Sequence, residues 1–362
     1  MVSNTAVPVT AGKERSEIVI IFARNWALFF LIFLTAVFSF TGKGFFSLKN
    51  FQNILYLSTI FLLLATAETY VIISGGIDLS VGFVMGLSSV LSAKIMQIMH
   101  EALIAGPVTI IILGTLIAIG VSLMPGLING VLIARYNVPP FIATLGMWGI
   151  ANGITLKICQ GFPVSYLPPG LVELGNGYIV YILPGKAFSF FHKPFGIEDS
   201  QIRELIRIIP NAIIFFVVVL SIFWFILNKT KFGQHNYAIG GSKDAAVRAG
   251  INVKKHLIIV YTLSSFLAGL AGVFNVFQTG IGNFTPFSAM YELFAIAAVV
   301  IGGASLMGGK GRIIGSCIGV ILLRLIANGL SIAGVEPFYR FIAVGLILII
   351  AVVIDQLFPD LF

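Results

Sequence analysis

Long apolar runs separated by short polar stretches dominate the chain. An α-helix needs about 20 mostly apolar residues to cross the roughly 30 Å hydrocarbon layer of a membrane. About ten runs approach that length, although glycines and polar residues interrupt the third and the eighth. The pattern predicts an all-α polytopic membrane protein with spans at 19–40, 54–73, 79–98, 107–134, 139–158, 208–227, 257–277, 287–302, 313–330 and 338–358.

Composition agrees with a membrane protein, because 58% of the residues are apolar and only 10% are charged. Soluble domains carry about 25% charged residues. The first run is too long for a signal peptide and lacks a small-residue cleavage site, so we expect an anchored helix. We therefore divide the chain into an N-terminal tail, 1–18, and one transmembrane domain, 19–362. Cys159 and Cys317 show no metal-ligand spacing and are interpreted as packing residues.

The positions of Lys and Arg predict the orientation, because cytoplasmic loops are enriched in these cations. The richest short loop is 228–256, which holds Lys229, Lys231, Lys243, Arg248, Lys254 and Lys255. The long segment 159–207 also holds cations, but long loops cross the membrane largely regardless of charge. We expect both termini in the cytoplasm, 159–207 outside, and a multi-pass location in a bacterial inner membrane.

Within loop 228–256, the spacing predicts a short helix from about Lys243 to Ala249. Ser242 or Asp244 could cap its start, and Gly250 could end it. The run Asp244-Ala245-Ala246-x-x-x-Gly250 is close to the Glu-Ala-Ala-x-x-x-Gly pattern of ABC importer permeases, whose short cytoplasmic helix docks on an ATPase. A solvated loop with helix-favouring alanines is the alternative. The place of the run in the largest basic inner loop favours docking.

Further motifs follow one another in a family-like order: Ile72–Gly82, Asn137–Gly146, Tyr237–Gly241 and Glu292–Gly311. Together they resemble the ribose/galactose/xylose-type monosaccharide permeases of ABC importers, in the branched-chain amino acid/ribose permease superfamily, over about residues 50–355. The resemblance implies a type II importer fold with glycine-broken helices. It also implies three kinds of partner: a second permease copy, a cytoplasmic ABC ATPase with two cassettes, and an extracytoplasmic sugar-binding protein.

The same resemblance implies which residues contact the ATPase: Tyr237, Gly240, Gly241, Asp244, Ala245, Ala246, Arg248 and Gly250. It also implies that Gly75–Gly82 and Gly302–Gly311 are broken-helix elements beside the translocation path. The chain departs from the family in two places. Asp244 stands where Glu is usual, and segment 159–207 is long, which leaves docking of the binding protein undefined.

Polar residues inside or beside the spans are the candidates for the path itself. Asp78 suits the N-cap of the next helix, which is the favoured role. With Ser80 it could also line a polar vestibule on the cytoplasmic side, and the two roles are compatible. Neutral amides suit sugar hydroxyls, although helix–helix hydrogen bonding is the favoured explanation for any one of them. Glu68 and Arg324 could form an ion pair, since charges within spans need a partner or water. The candidates are Glu68, Gly75, Gly76, Asp78, Ser80, Asn129, Asn152, Gln278 and Ser305.

The outer segment also shows a helical period. Ile202, Leu205, Ile206 and Ile209 follow i, i+3, i+4, i+7 spacing, with charged residues between them. This pattern predicts an amphipathic helix over Ile197–Ile209 that lies on the outer membrane surface.

Several chemistries are excluded by missing motifs. The glycine-rich run around Lys310 fails as a phosphate loop, because Ala304 replaces the first glycine and Gly311 follows the lysine. ATP must then be hydrolysed by a partner. The four histidines form no metal-ligand pattern, so we expect neither metal nor cofactor. An ion-coupled secondary transporter using Glu68 or Asp78 is the alternative function. An intramembrane enzyme is disfavoured, since no catalytic pair can be named.

Overall fold

A computed structural model describes residues 26–194, 204–284 and 290–336, with a few positions between 338 and 353. The described helices are α1 (Trp26–Thr41), α2 (Leu48–Ile73), α3 (Val81–Glu101), α4 (Pro107–Tyr136), α5 (Pro140–Cys159), α6 (Leu171–Asn176), α7 (Asn211–Lys229), α8 (Lys231–Gly241), α9 (Lys243–Arg248), α10 (Val253–Thr279), α11 (Tyr291–Ile301) and α12 (Ile313–Ile332). The strands are β1 (Tyr178–Leu183), β2 (Ala187–Phe190) and β3 (Ile206–Pro210).

Seven of these helices are long and apolar enough to cross a membrane: α2, α3, α4, α5, α7, α10 and α12. Each corresponds to one predicted span, which confirms a mostly helical polytopic membrane protein. Helices α1 and α11 are apolar but shorter, with 16 and 11 residues. The predicted span 338–358 lies largely outside the described residues. The total of about ten spans therefore stays a prediction.

Helix α2 forms the centre of the bundle. In its most apolar stretch 89% of the residues are buried, against 17% in α7. A transmembrane helix surrounded by protein exposes few side chains to lipid, whereas α7 lies at the periphery. The N-terminus of α2 is capped by Ser47, whose side chain accepts a hydrogen bond from the amide of Asn50 at 3.3 Å. This cap explains why the helix begins six residues before the predicted span.

Helices α4 and α10 approach each other closely because glycines line the contact. A Cβ atom added to Gly126 would overlap the carbonyl of Tyr261, and one added to Gly130 would lie 2.7 Å from the Cα of Ile258. Small residues allow helix backbones to pack closely in membranes, where lipid supplies no hydrophobic force between helices.

Two glycine-containing breaks interrupt the helical bundle. The turn 74–80 joins α2 to α3, and the loop 302–312 joins α11 to α12. Gly75 has φ of +80° and Gly303 has φ of +88°, values in the left-handed region that glycine adopts without strain. The two breaks meet, because the amide of Gly309 donates to the carbonyl of Ile73 at 2.9 Å. They lie at the same end of the bundle as α8 and α9, because Gly240 near the end of α8 contacts the same two backbone groups.

The opposite end carries a small antiparallel sheet in the order β2-β1-β3. Val180 of β1 pairs with Phe190 of β2 and with Ile208 of β3. The predicted amphipathic helix over 197–209 is therefore wrong at 206–209, which belong to β3, while 195–203 lie outside the described residues. Pairing with β1 satisfies the backbone of β3 and buries the neighbouring Leu205, so tertiary contacts override the helical period.

Candidate coupling surface and translocation elements

Helix α9 is a short, exposed element between two longer helices. Ser242 accepts a hydrogen bond from the amide of Ala245 at 3.2 Å and so caps the helix start. After Arg248 the chain turns at Gly250, whose φ of +81° ends the helix. The structure thus forms the helix that the sequence predicts, with Ser242 as the cap. Asp244 lies in the first turn, where its charge favours the helix dipole.

The two faces of α9 differ in exposure. Ala246 is only 2% exposed and packs in a cluster with Ala134, Ile239 and Leu257. It therefore attaches α9 to its own chain, and it is the one predicted coupling residue in this helix that faces inward. The outward face is formed by Asp244, Ala245, Val247, Arg248 and Ala249. Val247, which the sequence analysis did not select, is 59% exposed and adds an apolar side chain to that face.

Tyr237, Gly240 and Gly241 lie just before α9, and all three contact the broken-helix elements. The Tyr237 hydroxyl donates to the carbonyl of Gly311 at 2.8 Å. Burial raises the pKa of Tyr237, and the positive charge of Arg312 offsets part of that rise, so the phenol keeps the proton that it donates. Gly240 packs so tightly that a Cβ there would overlap the carbonyl of Ile73.

A backbone junction therefore joins three elements at this end of the bundle. The amide of Gly309 donates to the carbonyl of Ile73, and a Cβ on Gly240 would lie 2.5 Å from that same amide nitrogen. A Cβ on Gly308 would lie 3.0 Å from the Cα of Gly75. We call this contact of the α2 end, the α8 end and loop 302–312 the glycine junction. It places both predicted breaks against the segment that leads into α9.

Asp78 organises a second, buried site in the turn between α2 and α3. One carboxylate oxygen accepts from the amide of Ser80 at 3.0 Å and from its hydroxyl at 2.5 Å. The other oxygen accepts from the hydroxyl of Ser264 in α10 at 2.8 Å. The amide of Asn129 in α4 donates to the Ser80 hydroxyl at 3.1 Å. We call Asp78, Ser80, Asn129 and Ser264 the polar turn cluster.

The cluster revises the prediction for Asp78. Helix α3 begins at Val81 and its N-cap position is Ser80, so the predicted role of Asp78 as N-cap is wrong. Asp78 instead closes the preceding turn and ties it to α4 and α10. Asp78, Ser80 and Asn129 are fully buried, so they line no open vestibule in this conformation. No sequence motif marks Ser264, because it lies within an apolar run and the sequence does not show which residues pack against that run.

Glu68 and Arg324 do not form the predicted ion pair. Neither carboxylate oxygen of Glu68 has a hydrogen-bond partner within the described residues. The guanidinium of Arg324 lies over the ring of Phe61, 5.0 Å from its centroid. Phe61 precedes Glu68 by seven residues on α2, which is about 10 Å along the helix axis. Arg324 is thus at another depth, and the pairing hypothesis is wrong.

Other buried polar atoms lie at the Glu68 end of α2 without a partner in the described part of the chain. They include the hydroxyl of Tyr261 and the side-chain carbonyl oxygen of Asn129. A Cβ on Gly76 would overlap that Tyr261 hydroxyl, so the glycine admits the ring. A Cβ on Gly82 would likewise overlap the carboxylate of Glu292, a buried residue.

The remaining predicted path residues are not brought together. Gln278 lies at the sheet end of α10, where its side chain donates to the carbonyl of Tyr56 at 3.1 Å. Asn152 is half-buried on α5. Ser305 lies in loop 302–312, where its hydroxyl accepts from the amide of Met307 at 3.3 Å. Of the predicted set, Asp78, Ser80 and Asn129 meet in the polar turn cluster, while Gly75 and Ser305 lie at or beside the glycine junction. Glu68 and Gly76 lie near the hydroxyl of Tyr261, and Asn152 and Gln278 lie apart from the others.

A bundle of helices long and apolar enough to cross a membrane, with two glycine breaks and an exposed helix at one end, defines a class of protein, a multi-pass helical membrane protein. The comparisons with known proteins give its family. The sequence profile described as "Branched-chain amino acid transport system / permease component" matches residues 50–352. The chain therefore belongs to this family of permease components.

Curated relatives are similar over nearly the whole chain. The ribose import permease protein RbsC of Escherichia coli K12 is 34% identical over 342 residues, covering 92% of this chain and 96% of that protein. The D-allose transport system permease protein AlsC of the same strain is 32% identical and covers 98% of each. Its galactose/methyl galactoside import permease protein MglC is 33% identical, covering 90% and 92%. No solved structure matches the chain.

Proposed function

We propose that this chain is the membrane-spanning subunit of an ABC importer that moves a monosaccharide inward. The observation that carries the proposal is the pairing of an exposed α9 with a buried connection to both helix breaks. An ATPase that pulls or pushes on α9 would act on the glycine junction directly. Relatives named for ribose, allose and galactose import support a pentose- or hexose-sized sugar as substrate.

The docking surface would be the outward face of α9. Val247 supplies an apolar contact, while Asp244 and Arg248 supply charges of opposite sign at the two ends of the helix. The small side chains of Ala245 and Ala249 add little bulk to this face. Ala246 anchors the helix beneath this surface, so a force on the exposed side chains moves the whole element instead of bending a loose loop.

Movement of α9 would reach the path through the short connection from Gly241 to Ser242. Helix α8 ends at Gly241, and its last turn contacts Ile73 and Gly309 through backbone atoms. Backbone contacts leave no side chain to rotate away, so a displacement of α8 moves the ends of α2 and of loop 302–312. Since α2 is the central helix, its displacement would change the inner end of the bundle.

The polar turn cluster supplies the element that would rearrange. Its hydrogen bonds join the turn 74–80 to α4 and α10, and they hold a buried carboxylate. Breaking them would expose Asp78 and Ser80 to a polar vestibule that a sugar could enter. Asn152 and Gln278 are neutral polar candidates along the rest of the path, because amides exchange hydrogen bonds with hydroxyl groups.

The proposed machine also has three partners. A cytoplasmic ABC ATPase with two cassettes would bind α9 and hydrolyse ATP, and an extracytoplasmic sugar-binding protein would deliver the substrate at the sheet end. A second permease copy would complete the path. An exposed glycine face on α5 supports this pairing, because a Cβ at Gly146, Gly149 or Gly153 would meet nothing within 4 Å.

The orientation follows from the same proposal. The α9 end would lie in the cytoplasm, where its lysines and arginines agree with the positive-inside rule. Both chain termini would then be cytoplasmic, and segment 159–207 with its sheet would face outward.

The test is ATP-driven uptake of labelled ribose, allose and galactose in proteoliposomes that hold the permease and its ATPase, with binding protein added. Arg248→Glu and Val247→Glu should each lower uptake at least about tenfold, because each places a negative charge on the docking face. Lys231→Glu is the matched control. Lys231 is also exposed, but it begins α8, about 15 Å along that helix from Gly241.

Uptake that continues without the ATPase and follows an ion gradient would contradict the proposal. It would favour the alternative of an ion-coupled transporter that uses Glu68 or Asp78. Equal losses in Lys231→Glu and in the two α9 variants would contradict the assignment of α9 as the docking surface.

A further inference from the structure

A cavity of about 150 Å³ opens between α1, α7, α11 and α12. It contains Trp26 and Trp224, Asn228 near the end of α7, and Arg312 directly before α12. None of these residues belongs to the coupling surface or to the polar turn cluster. The cavity lies at the α9 end of the bundle, because the carbonyl of the neighbouring Gly311 accepts from Tyr237.

The depth of the cavity corresponds to the membrane–water interface. Trp224 lies five residues before Lys229, the last residue of α7, which is about 7.5 Å along the helix axis. Tryptophan is enriched at this depth, since its ring is apolar while its N–H needs a polar neighbour. Two tryptophans beside one cavity therefore indicate a site at the level of the lipid headgroups.

The charge of the cavity is positive. Among the described residues that line it, Arg312 is the single cation and no carboxylate is present. Its planar guanidinium can donate two parallel hydrogen bonds to a phosphate. Asn228 donates one amide hydrogen to the carbonyl of Trp224 at 2.9 Å and retains a second N–H. The polar groups thus suit a phosphate rather than a cation.

The rim of the cavity is apolar on the side that would face lipid. Ile314 is 56% exposed and Leu28 is 38% exposed. The space exceeds the roughly 30 Å³ of one water several times, so it admits a phosphate but not a whole lipid. A ligand that fills it would need an anionic group inside and hydrocarbon along Leu28 and Ile314.

We propose that this cavity binds the phosphate of an anionic phospholipid, with Arg312 as the ion-pair partner and Trp26 and Trp224 flanking the headgroup. The site goes beyond the proposed transport function, since it requires neither sugar nor ATPase. Arg312 ends the loop 302–312, whose Gly311 carbonyl accepts from Tyr237. A bound lipid would therefore stabilise the glycine junction from the membrane side.

The test is native mass spectrometry of the delipidated, purified full chain, titrated with phosphatidylglycerol, phosphatidylcholine or inorganic phosphate. The wild type should bind phosphatidylglycerol in preference to phosphatidylcholine. Arg312→Gln should weaken phosphatidylglycerol binding about tenfold, which corresponds to about 1.4 kcal/mol. Arg312→Lys should retain part of the binding, because it keeps the charge but loses the bidentate geometry. Arg135→Gln is the matched control, an exposed arginine in the last turn of α4 at the same end.

Each outcome decides the proposal. A loss confined to Arg312→Gln supports it, provided that circular dichroism and gel filtration show a folded variant. Equal losses in Arg312→Gln and Arg135→Gln would overturn it, because the lipid would then respond to surface charge in general. Competition by inorganic phosphate without preference among lipids would overturn the lipid assignment in favour of a site for a free anion. If Arg312→Gln does not fold, Arg312→Lys with the same wild-type lipid preference would overturn the role of the guanidinium.

Discussion

Gly240→Ala is the sharpest perturbation of the glycine junction. The added methyl would overlap the carbonyl oxygen of Ile73 and would lie 2.5 Å from the amide nitrogen of Gly309. Those two groups form one hydrogen bond, at 2.9 Å. The methyl therefore meets backbone atoms of two other elements and has no flexible side chain to displace.

The size of the effect follows from three contributions. Forcing a methyl into a packed contact costs about 1–3 kcal/mol. Breaking the hydrogen bond between the Gly309 amide and the Ile73 carbonyl costs about 1–3 kcal/mol more. Alanine has a higher helix propensity than glycine, which raises the free energy of unfolding by at most about 1 kcal/mol. We expect Gly240→Ala to lower the free energy of unfolding by about 3 kcal/mol.

Gly241→Ala is the matched control for stability. A Cβ at Gly241 would meet nothing within 4 Å, although it lies one residue further along the same helix. Only the contribution of helix propensity remains there, so we expect the free energy of unfolding to rise by between zero and about 1 kcal/mol. The assay is equilibrium denaturation of the purified variants in detergent, followed by circular dichroism. ATP-driven uptake by the Gly240 variant in proteoliposomes should also fall, by about tenfold or more.

Gly240→Ala should therefore lower the free energy of unfolding, whereas Gly241→Ala should leave it unchanged or raise it slightly. If Gly240→Ala and Gly241→Ala have the same unfolding free energy, the close contact of α8 with α2 and loop 302–312 does not exist. If Gly240→Ala is destabilised but transports normally, the contact is structural and does not transmit the movement of α9.

Three further predictions concern the other sites. Ala246→Glu should detach α9 and make it sensitive to protease, because the substitution places a charge at a buried position. Ala245→Glu on the exposed face should leave the protease pattern unchanged, and equal digestion of both variants would contradict the orientation of the helix. Asp78→Asn should destabilise the protein by about 1.5–3 kcal/mol, since two hydroxyl donors lose a charged acceptor, and unchanged denaturation would refute the polar turn cluster. Glu68→Gln should preserve or raise stability, because the carboxylate has no hydrogen-bond partner among the described residues, and swapping the charges of Glu68 and Arg324 should rescue nothing; recovery in the swap would restore the ion-pair hypothesis.

Much of the helical architecture was predictable, because a membrane restricts the chain to a few solutions. Each span must satisfy its backbone internally and expose apolar side chains, so length and hydropathy alone locate it. The short α9 was also predictable, since Ser242 and Gly250 are local signals whose action needs no distant contact.

Side-chain partners were less predictable, because they depend on how helices rotate against one another. Glu68 and Arg324 have opposite charges and similar apparent depth in the sequence, yet Arg324 lies beside Phe61, two helical turns away. Ala245 and Ala246 are chemically identical, and only the packing of α9 on Leu257 and Ala134 separates the buried one from the exposed one. The strand β3 has a helical period, but it pairs with β1, a segment more than 20 residues earlier in the chain.

Local sequence patterns were enough to predict a multi-pass helical membrane protein, the position of its exposed helix and the two glycine breaks, because apolar length, caps and left-handed turns act over a few residues. The tertiary structure alone decided that Gly240, Ile73 and Gly309 meet in one junction and that Ser264 completes the site of Asp78. These contacts join residues that are far apart in the chain. Their geometry depends on backbone approach distances, which no local pattern of residues encodes.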